Sequence, residues 1–210
     1  VVQVTNALDS GTGSLRAAIA AVAPNGTIQI NPSVTSPIVI ATPIIIDKSL
    51  TIVSYVNNVI SNSPTFTGGD YVIEISNGAN ASFEGIVFQG TGLADVGAMR
   101  ASSTMPTSMA TITMRSCVVD GWSSPAGTSG TSASVMAYFS HADIQNTSFT
   151  NNTPQGGVLS VYSNETEFGG SFVHENINCN VDGCMFENSS GLMTLAFRTT
   201  TLTAILGANG

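Results

Sequence analysis

The sequence predicts an all-β chain, a right-handed parallel β-helix (a solenoid) with a short amino-terminal capping helix. Three observations carry this. Four short segments recur at near-constant spacing, each alternates apolar and polar residues with a break at the same place, and helical periodicity is confined to residues 14–22.

The segments are ASFEGIVFQG (81–90), ITMRSCVVDG (112–121), ADIQNTSFTN (142–151) and CNVDGCMFENS (179–189). Aligned on Phe88, Val119, Phe149 and Phe186, their anchors stand 31, 30 and 37 residues apart. Such a period suits stacked coils better than a β-sandwich, the structural rival. Two residues before the anchor come Ile86, Cys117, Thr147 and Cys184. Farther back come the pairs Ala81 and Phe83, Ile112 and Met114, Ala142 and Ile144, Cys179 and Val181. Within each pair the spacing of two is that of a strand pointing alternate side chains inward, and between the pairs the parity breaks.

A corner is expected at that break, where Glu84-Gly85, Arg115-Ser116, Gln145-Asn146 and Asp182-Gly183 supply turn formers. Gly90, Gly121, Asn151 and Asn188 mark the next corner, so the unit reads strand, bend, strand, turn. Upstream, Leu50 and Ile52 begin a fifth copy, which fails at the anchor because Asn57 stands there. Further strands are expected at 27–30, 38–40, 44–46, 71–75, 158–162 and 192–197. About seven coils at the interstrand spacing give a body some 30 to 35 Å long.

A solenoid needs a cap over its apolar end. Ser14 precedes LRAAIAAV, in which Leu15, Ala18, Ile19 and Val22 recur at helical spacing. Asn25-Gly26 ends the helix and leads into TIQI. Residues 1–26 therefore read as the cap, a strand plus a short helix, and 27–210 as the coils.

The run VTNALDSGTGSLRAAIAAVAPNGTIQI, followed by IIIDKSLTI and SFEGIVFQG, resembles the opening of pectin-lyase-like β-helical surface proteins with a CSLREA-type start. The FTNN and FENS segments resemble repeats of polymorphic outer-membrane proteins and related adhesins. The likeness covers most of the chain, with 95–110 and 120–137 outside it. It departs from the pattern at Gly13, where the name-giving Cys would stand, and at Ala17, where an acidic residue is usual. The resemblance implies an extracellular, non-catalytic β-helix.

Composition narrows the function classes. Five cationic residues (Arg16, Lys48, Arg100, Arg115, Arg198) face thirteen carboxylates, a net charge of −8. No basic stripe is available for nucleic acid or for an anionic membrane surface. Charged residues make up 9% of the chain, and Ser, Thr, Asn and Gly fill the polar positions, as in extracellular β-rich proteins. No apolar run is long enough to span a membrane, and the first residues lack a signal-peptide pattern, so in a secreted protein the numbering begins after cleavage. Acceptor triplets for N-glycosylation occur at Asn25, Asn80, Asn146, Asn151, Asn164 and Asn188.

The reading is thus a non-enzymatic structural or adhesion module of the cell surface, with no catalytic residue, metal or cofactor expected. The alternative is a β-helix that binds or cleaves polysaccharide, which needs clustered carboxylates with a nearby Lys or Arg. Asp120, Asp143 and Asp182 fall in different columns, with Arg115 alone beside them at a corner. His141 and His174 lack partners at ligand spacing, apart from Asp143 and Glu175 nearby. Trp122, Tyr138 and Phe139 read either as a sugar-stacking platform or as aromatics packed under a loop. The threonines of RTTTLTAI (198–205) suggest an ice-binding ladder only if outward Thr pairs recur on successive coils, and by sequence this segment alone has them.

Cys117 and Cys184 share a column two coils apart, beyond the reach of a disulfide. Cys179 and Cys184 flank one corner and are a possible disulfide, leaving Cys117 as a buried thiol. The last segment, LTAILGANG, has no recognisable cap. The carboxyl-terminal coil is therefore expected to meet a protein partner, either more of the same chain or a neighbouring copy in end-to-end stacking; glycans are a further candidate ligand.

Overall fold

The computed structural model describes residues 1–76, 78–93, 95–103, 108–123, 133–154, 157–162, 166–168, 171–173, 177–189, 193–196 and 204–206. The chain opens with strand β1 (Val2–Val4) and helix α1 (Leu15–Ala21). The Ser14 hydroxyl accepts the Ala17 N–H at 3.1 Å, as an N-cap should, and α1 buries Leu15, Ala18 and Ile19 against the first coil. The helix ends at Val22, before Asn25-Gly26. Asn25 makes the turn with φ 60°, and Gly26 already lies in the next strand, where a Cβ would sit 2.6 Å from the Val22 side chain.

Six complete three-strand coils follow among the described residues. They are β2 (Gly26–Ile30), β3 (Ile38–Ile40), β4 (Ile44–Ile46); β5 (Leu50–Val53), β6 (Val59–Asn62), β7 (Tyr71–Ile75); and β8 (Asn80–Glu84), β9 (Val87–Gln89), β10 (Gly97–Ser102). Then come β11 (Thr111–Arg115), β12 (Val118–Asp120), β13 (Val135–Tyr138), and β14 (His141–Gln145), β15 (Ser148–Thr150), β16 (Leu159–Tyr162). An antiparallel hairpin, β17 (Thr166–Phe168) and β18 (Ser171–Val173), precedes β19 (Cys179–Asp182), β20 (Met185–Glu187), β21 (Met193–Ala196) and β22 (Ala204–Leu206).

Three sheets result, each wholly parallel. The first runs β1-β2-β5-β8-β11-β14-β19-β22, the second β3-β6-β9-β12-β15-β20 and the third β4-β7-β10-β13-β16-β21. The strands step in register, so the fold is a parallel β-helix and the sandwich is excluded. The columns read from sequence stack inside: Phe88, Val119, Phe149 and Phe186 pair in order, the first three buried and Phe186 half-buried. The Phe149 and Phe186 rings stack face to face at 4.8 Å.

Each bend turns on one left-handed residue: Gly85 (φ 63°), Ser116 (52°), Asn146 (47°) and Gly183 (59°). A single such residue reverses the side-chain parity, which explains why Ile86, Cys117 and Thr147 then point inward.

The fifth copy does not fail at its anchor. Ile60, not Asn57, pairs with Phe88, and Ile38 extends the column below it. The Ser54 N–H reaches Glu84 O and Asn58 O receives the Val87 N–H, so Ser54 and Asn58 hold the places of Gly85 and Ile86. Tyr55, Val56 and Asn57 are inserted between them, and the insertion hid the anchor. Buried Asn58 is satisfied by the Ser54 hydroxyl and by Val34 O.

Two strands of the third sheet, β10 and β13, lie in segments the sequence left unassigned. Gly97, Ala98, Met99 and Ala101, and likewise Val135, Met136 and Ala137, are all buried. Neither strand therefore alternates apolar with polar, and no period of two shows.

The cap is latched by Arg16. Its guanidinium pairs with Asp9 at 2.9 Å and donates to Thr42 O and Pro43 O at 2.8 Å. Lys48 Nζ donates to Ala20 O at the other end of α1. Among the described residues no helix is long and apolar enough to cross a membrane.

Candidate functional site

The carboxylates singled out in the sequence are spread over two sheets and tied to their neighbours. Asp143, facing outward on β14, accepts from Arg115 Nη2 (2.9 Å), Gln145 Nε2 (2.9 Å) and Asn180 Nδ2 (2.8 Å), which links three successive coils. Asp120 on β12 accepts from Thr150 Oγ1 and Asn151 Nδ2, both at 2.7 Å. Asp182 stands in the Gln145 column, at a corner. An oxygen holding two donors from adjacent coils is committed to the ladder, which leaves it poorly placed to take a proton from a substrate. Among the described residues no three His, Cys, Asp or Glu side chains converge as a metal site would need.

His141 starts β14, and its Nδ1 accepts the Asn178 N–H of the next coil at 2.9 Å. Burial holds its pKa below the ordinary histidine value. The folded state thus favours the neutral ring, and as pH falls the unfolded chain takes the proton first. The contribution is complete above about pH 6.5, the unperturbed histidine pKa, and is lost as pH drops through the folded pKa. Urea midpoints at pH 7.5 and 5.5 should fall less in His141→Asn than in the parent; equal falls would show that His141 does not carry this sensitivity. His174 lies outside the described residues.

Trp122, Tyr138 and Phe139 make no common platform. Trp122 is 2% exposed, and its indole N–H donates to Phe88 O at 2.9 Å at the corner after the second sheet. Tyr138 and Phe139 sit at the carboxyl end of strand β13, edge to face at 4.6 Å.

The possible Cys179–Cys184 disulfide is not formed; all three cysteines are free thiols. Cys179 points into the core in register with Ala142. The Cys184 thiol bonds Ile144 O and Asp182 O around the corner, much as the Thr147 hydroxyl bonds Gln145 O one coil below. Burial pushes the Cys117 and Cys179 thiols up to about 11.

Five of the six acceptor asparagines are described, and all five are exposed. Asn25, Asn146, Asn151 and Asn188 have φ between 47° and 60°, so left-handed corners account for asparagine there. Asn151 spends its amide nitrogen, the atom that would carry a glycan, on Asp120. Asn80 differs: it opens strand β8. Asn164 lies outside the described residues.

The third sheet carries a cluster that sequence reasoning missed. Arg100 pairs with Glu74 at 3.4 Å and lies 5.3 Å above the centre of the Tyr71 ring, whose hydroxyl burial pushes up to about 12. The hydroxyl of Ser134, fully buried beside this cluster, finds no hydrogen-bond partner among the described residues. The residues lie on strands β7 and β10 and just before β13, far apart in sequence, so no local motif announced them.

The outer face of the first sheet holds a second feature. Thr27, Thr51, Ser82 and Thr113 stand in register on four successive coils, ahead of Asp143 and Asn180. Beside them Asn25, Ser49, Asn80 and Thr111 form a second row near the strand starts, with Asn80 paired to Thr111. Between the rows runs a shallow trough of about 200 Å³, lined by Asn25, Ser49, Thr51, Asn80, Ser82 and Thr113 with Leu50 and Ala81. The outward threonines thus recur on coils far from 198–205. Of that run, only 204 and 205 are described.

No family model and no curated protein sequence matches this chain. Among solved structures it is similar to a mutant of the PL6 family alginate lyase AlyGC, at 12% identity and a TM-score of 0.52, over 97% of this chain and 40% of that one. A second structure of the same lyase gives 12% identity and a TM-score of 0.44, over 98% and 39%. The likeness to the first is one of fold, a right-handed parallel β-helix, and this chain spans well under half the length of the lyase.

Proposed function

We propose that the chain is a non-catalytic β-helical module, structural or adhesive, that works outside the cell. The observation that carries this reading is the use made of its polar groups. Asp143, Asp120 and His141, the groups suited to acid–base work, each serve as acceptors in bonds that fasten one coil to the next. The low charge fraction and the acidic balance support an extracellular setting. For partners, the reading looks to coil-on-coil contact: among the described residues β20, β21 and β22 are the last strands of their sheets, and a parallel edge accepts a further strand, from the same polypeptide or from a second copy.

The rival reading is a polysaccharide lyase. Alginate, polygalacturonate and xylan incubated with the protein, with and without calcium, should yield neither unsaturated uronate absorbance nor new reducing ends. Alginate belongs in the set because the solved structure of like fold is an alginate lyase. Turnover of any of the three polymers would overturn the non-catalytic reading.

A further inference from the structure

We infer that the trough on the outer face of the first sheet is a binding site for an extended, neutral polysaccharide chain lying along the solenoid axis. This deepens the adhesive reading of the previous subsection and rests on it.

The hydroxyls of Thr27, Thr51, Ser82 and Thr113 have no hydrogen-bond partner among the described residues, although the same column is fully cross-linked where it continues into Asp143 and Asn180. The face is therefore divided. Its carboxyl-terminal part uses its polar groups on itself, whereas in its amino-terminal part, beyond the Gln3–Gln29 pair and the Ser49 hydroxyl that accepts the Asn80 N–H, the first row offers them outward. Parallel strands place one such group every ~4.8 Å along the axis, and the second row lies two residues away across the trough. Asn25 and Asn80 add amides, each with a donor and an acceptor, so both hydroxyl and ring-oxygen edges of a sugar can be met.

Charge decides the class of glycan. No charged side chain lines the trough, and the chain's net charge of −8 disfavours uronate or sulfate polymers. Regularity decides between a glycan and ice, the other ligand that a hydroxyl array suits. Ice needs outward threonine pairs on successive coils, but the second row reads Asn25, Ser49, Asn80 and Thr111, so only Thr111 and Thr113 make such a pair, while the mixed amides and hydroxyls suit the varied edge of a sugar. A straight β-1,4-linked chain follows a straight column, and successive sugars meet successive coils.

The test uses the whole chain with cellohexaose as the neutral probe and an alginate hexamer as the acidic one, read by calorimetry. Cellohexaose should bind and the alginate hexamer should not. The double variant Thr51→Val/Thr113→Val, which keeps shape and strand preference, should weaken cellohexaose binding about tenfold or more, as the loss of two hydrogen bonds implies. Gln89→Ala, on the outer face of the second sheet, should leave it unchanged. No cellohexaose binding at millimolar concentration, equal binding by the double variant, or shaping of ice crystals without glycan binding would each overturn the inference. Cleavage of the bound oligosaccharide would instead overturn the non-catalytic reading and leave the site standing.

Discussion

Replacing Phe149 by alanine is expected to destabilise the protein by about 3 to 5 kcal/mol, the range for a fully buried aromatic whose neighbours cannot collapse into the space. The ring is 0% exposed, stacks on Phe186 and shares its column with Val119. Neighbours in a solenoid column are held at the interstrand spacing by their own backbone ladders, so the cavity cannot close by moving one coil. Phe186→Ala should cost less, because that ring is half-buried. Urea unfolding of both variants measures the difference; a Phe149→Ala cost below that of Phe186→Ala would show the column is not packed as described.

Gly85→Ala should also be severe, at about 2 to 4 kcal/mol, from left-handed strain added to a backbone collision. The residue has φ 63°, and a Cβ would lie 2.3 Å from Ser54 O. That oxygen belongs to the corner carrying the Tyr55–Asn57 insertion and is backbone, so it cannot swing away. Gly183 offers the comparison: φ is 59°, but its Cβ would meet the Asn146 side-chain oxygen at 2.4 Å, which can rotate. Gly183→Ala should therefore cost only the conformational part, about 1 to 2 kcal/mol. Equal unfolding midpoints for the two variants would refute the role assigned to Ser54.

The sequence showed the first two sheets because their strands bury one face only. Ile112 and Met114 alternate with Thr111, Thr113 and Arg115, and the corner residues after them repeat. It hid β10 and β13 because both of their faces are covered, and it hid the Ile60 anchor behind a three-residue insertion. The candidate site divides the same way. The ties that occupy Asp143 were foreshadowed by its isolation from other acidic residues in the repeat. The trough was not legible, since Thr27, Thr51, Ser82 and Thr113 are ordinary strand residues until the register sets them side by side. Cys179 and Cys184 are close in sequence, but sequence gives no directions for the two thiols: Cys179 turns into the core, and Cys184 bonds Ile144 O and Asp182 O at the corner.

The in-register stacking has a kinetic consequence. The strand pairs join residues one coil apart, from 22 positions for Ile38 and Ile60 to 37 for Ala142 and Cys179. The entropy of closing such loops grows with the logarithm of their length, so the shortest and longest differ by about 0.5 kcal/mol. Each new coil therefore meets nearly the same barrier as the one before it, whatever the length already formed. The first coil alone has no template beneath it, and α1, whose hydrogen bonds are local, lies against β1 and β2, where that template must arise. Assembly of this chain is therefore expected to start at its amino-terminal end, and destabilising substitutions in α1 should slow refolding, whereas those in the last coils should mainly speed unfolding.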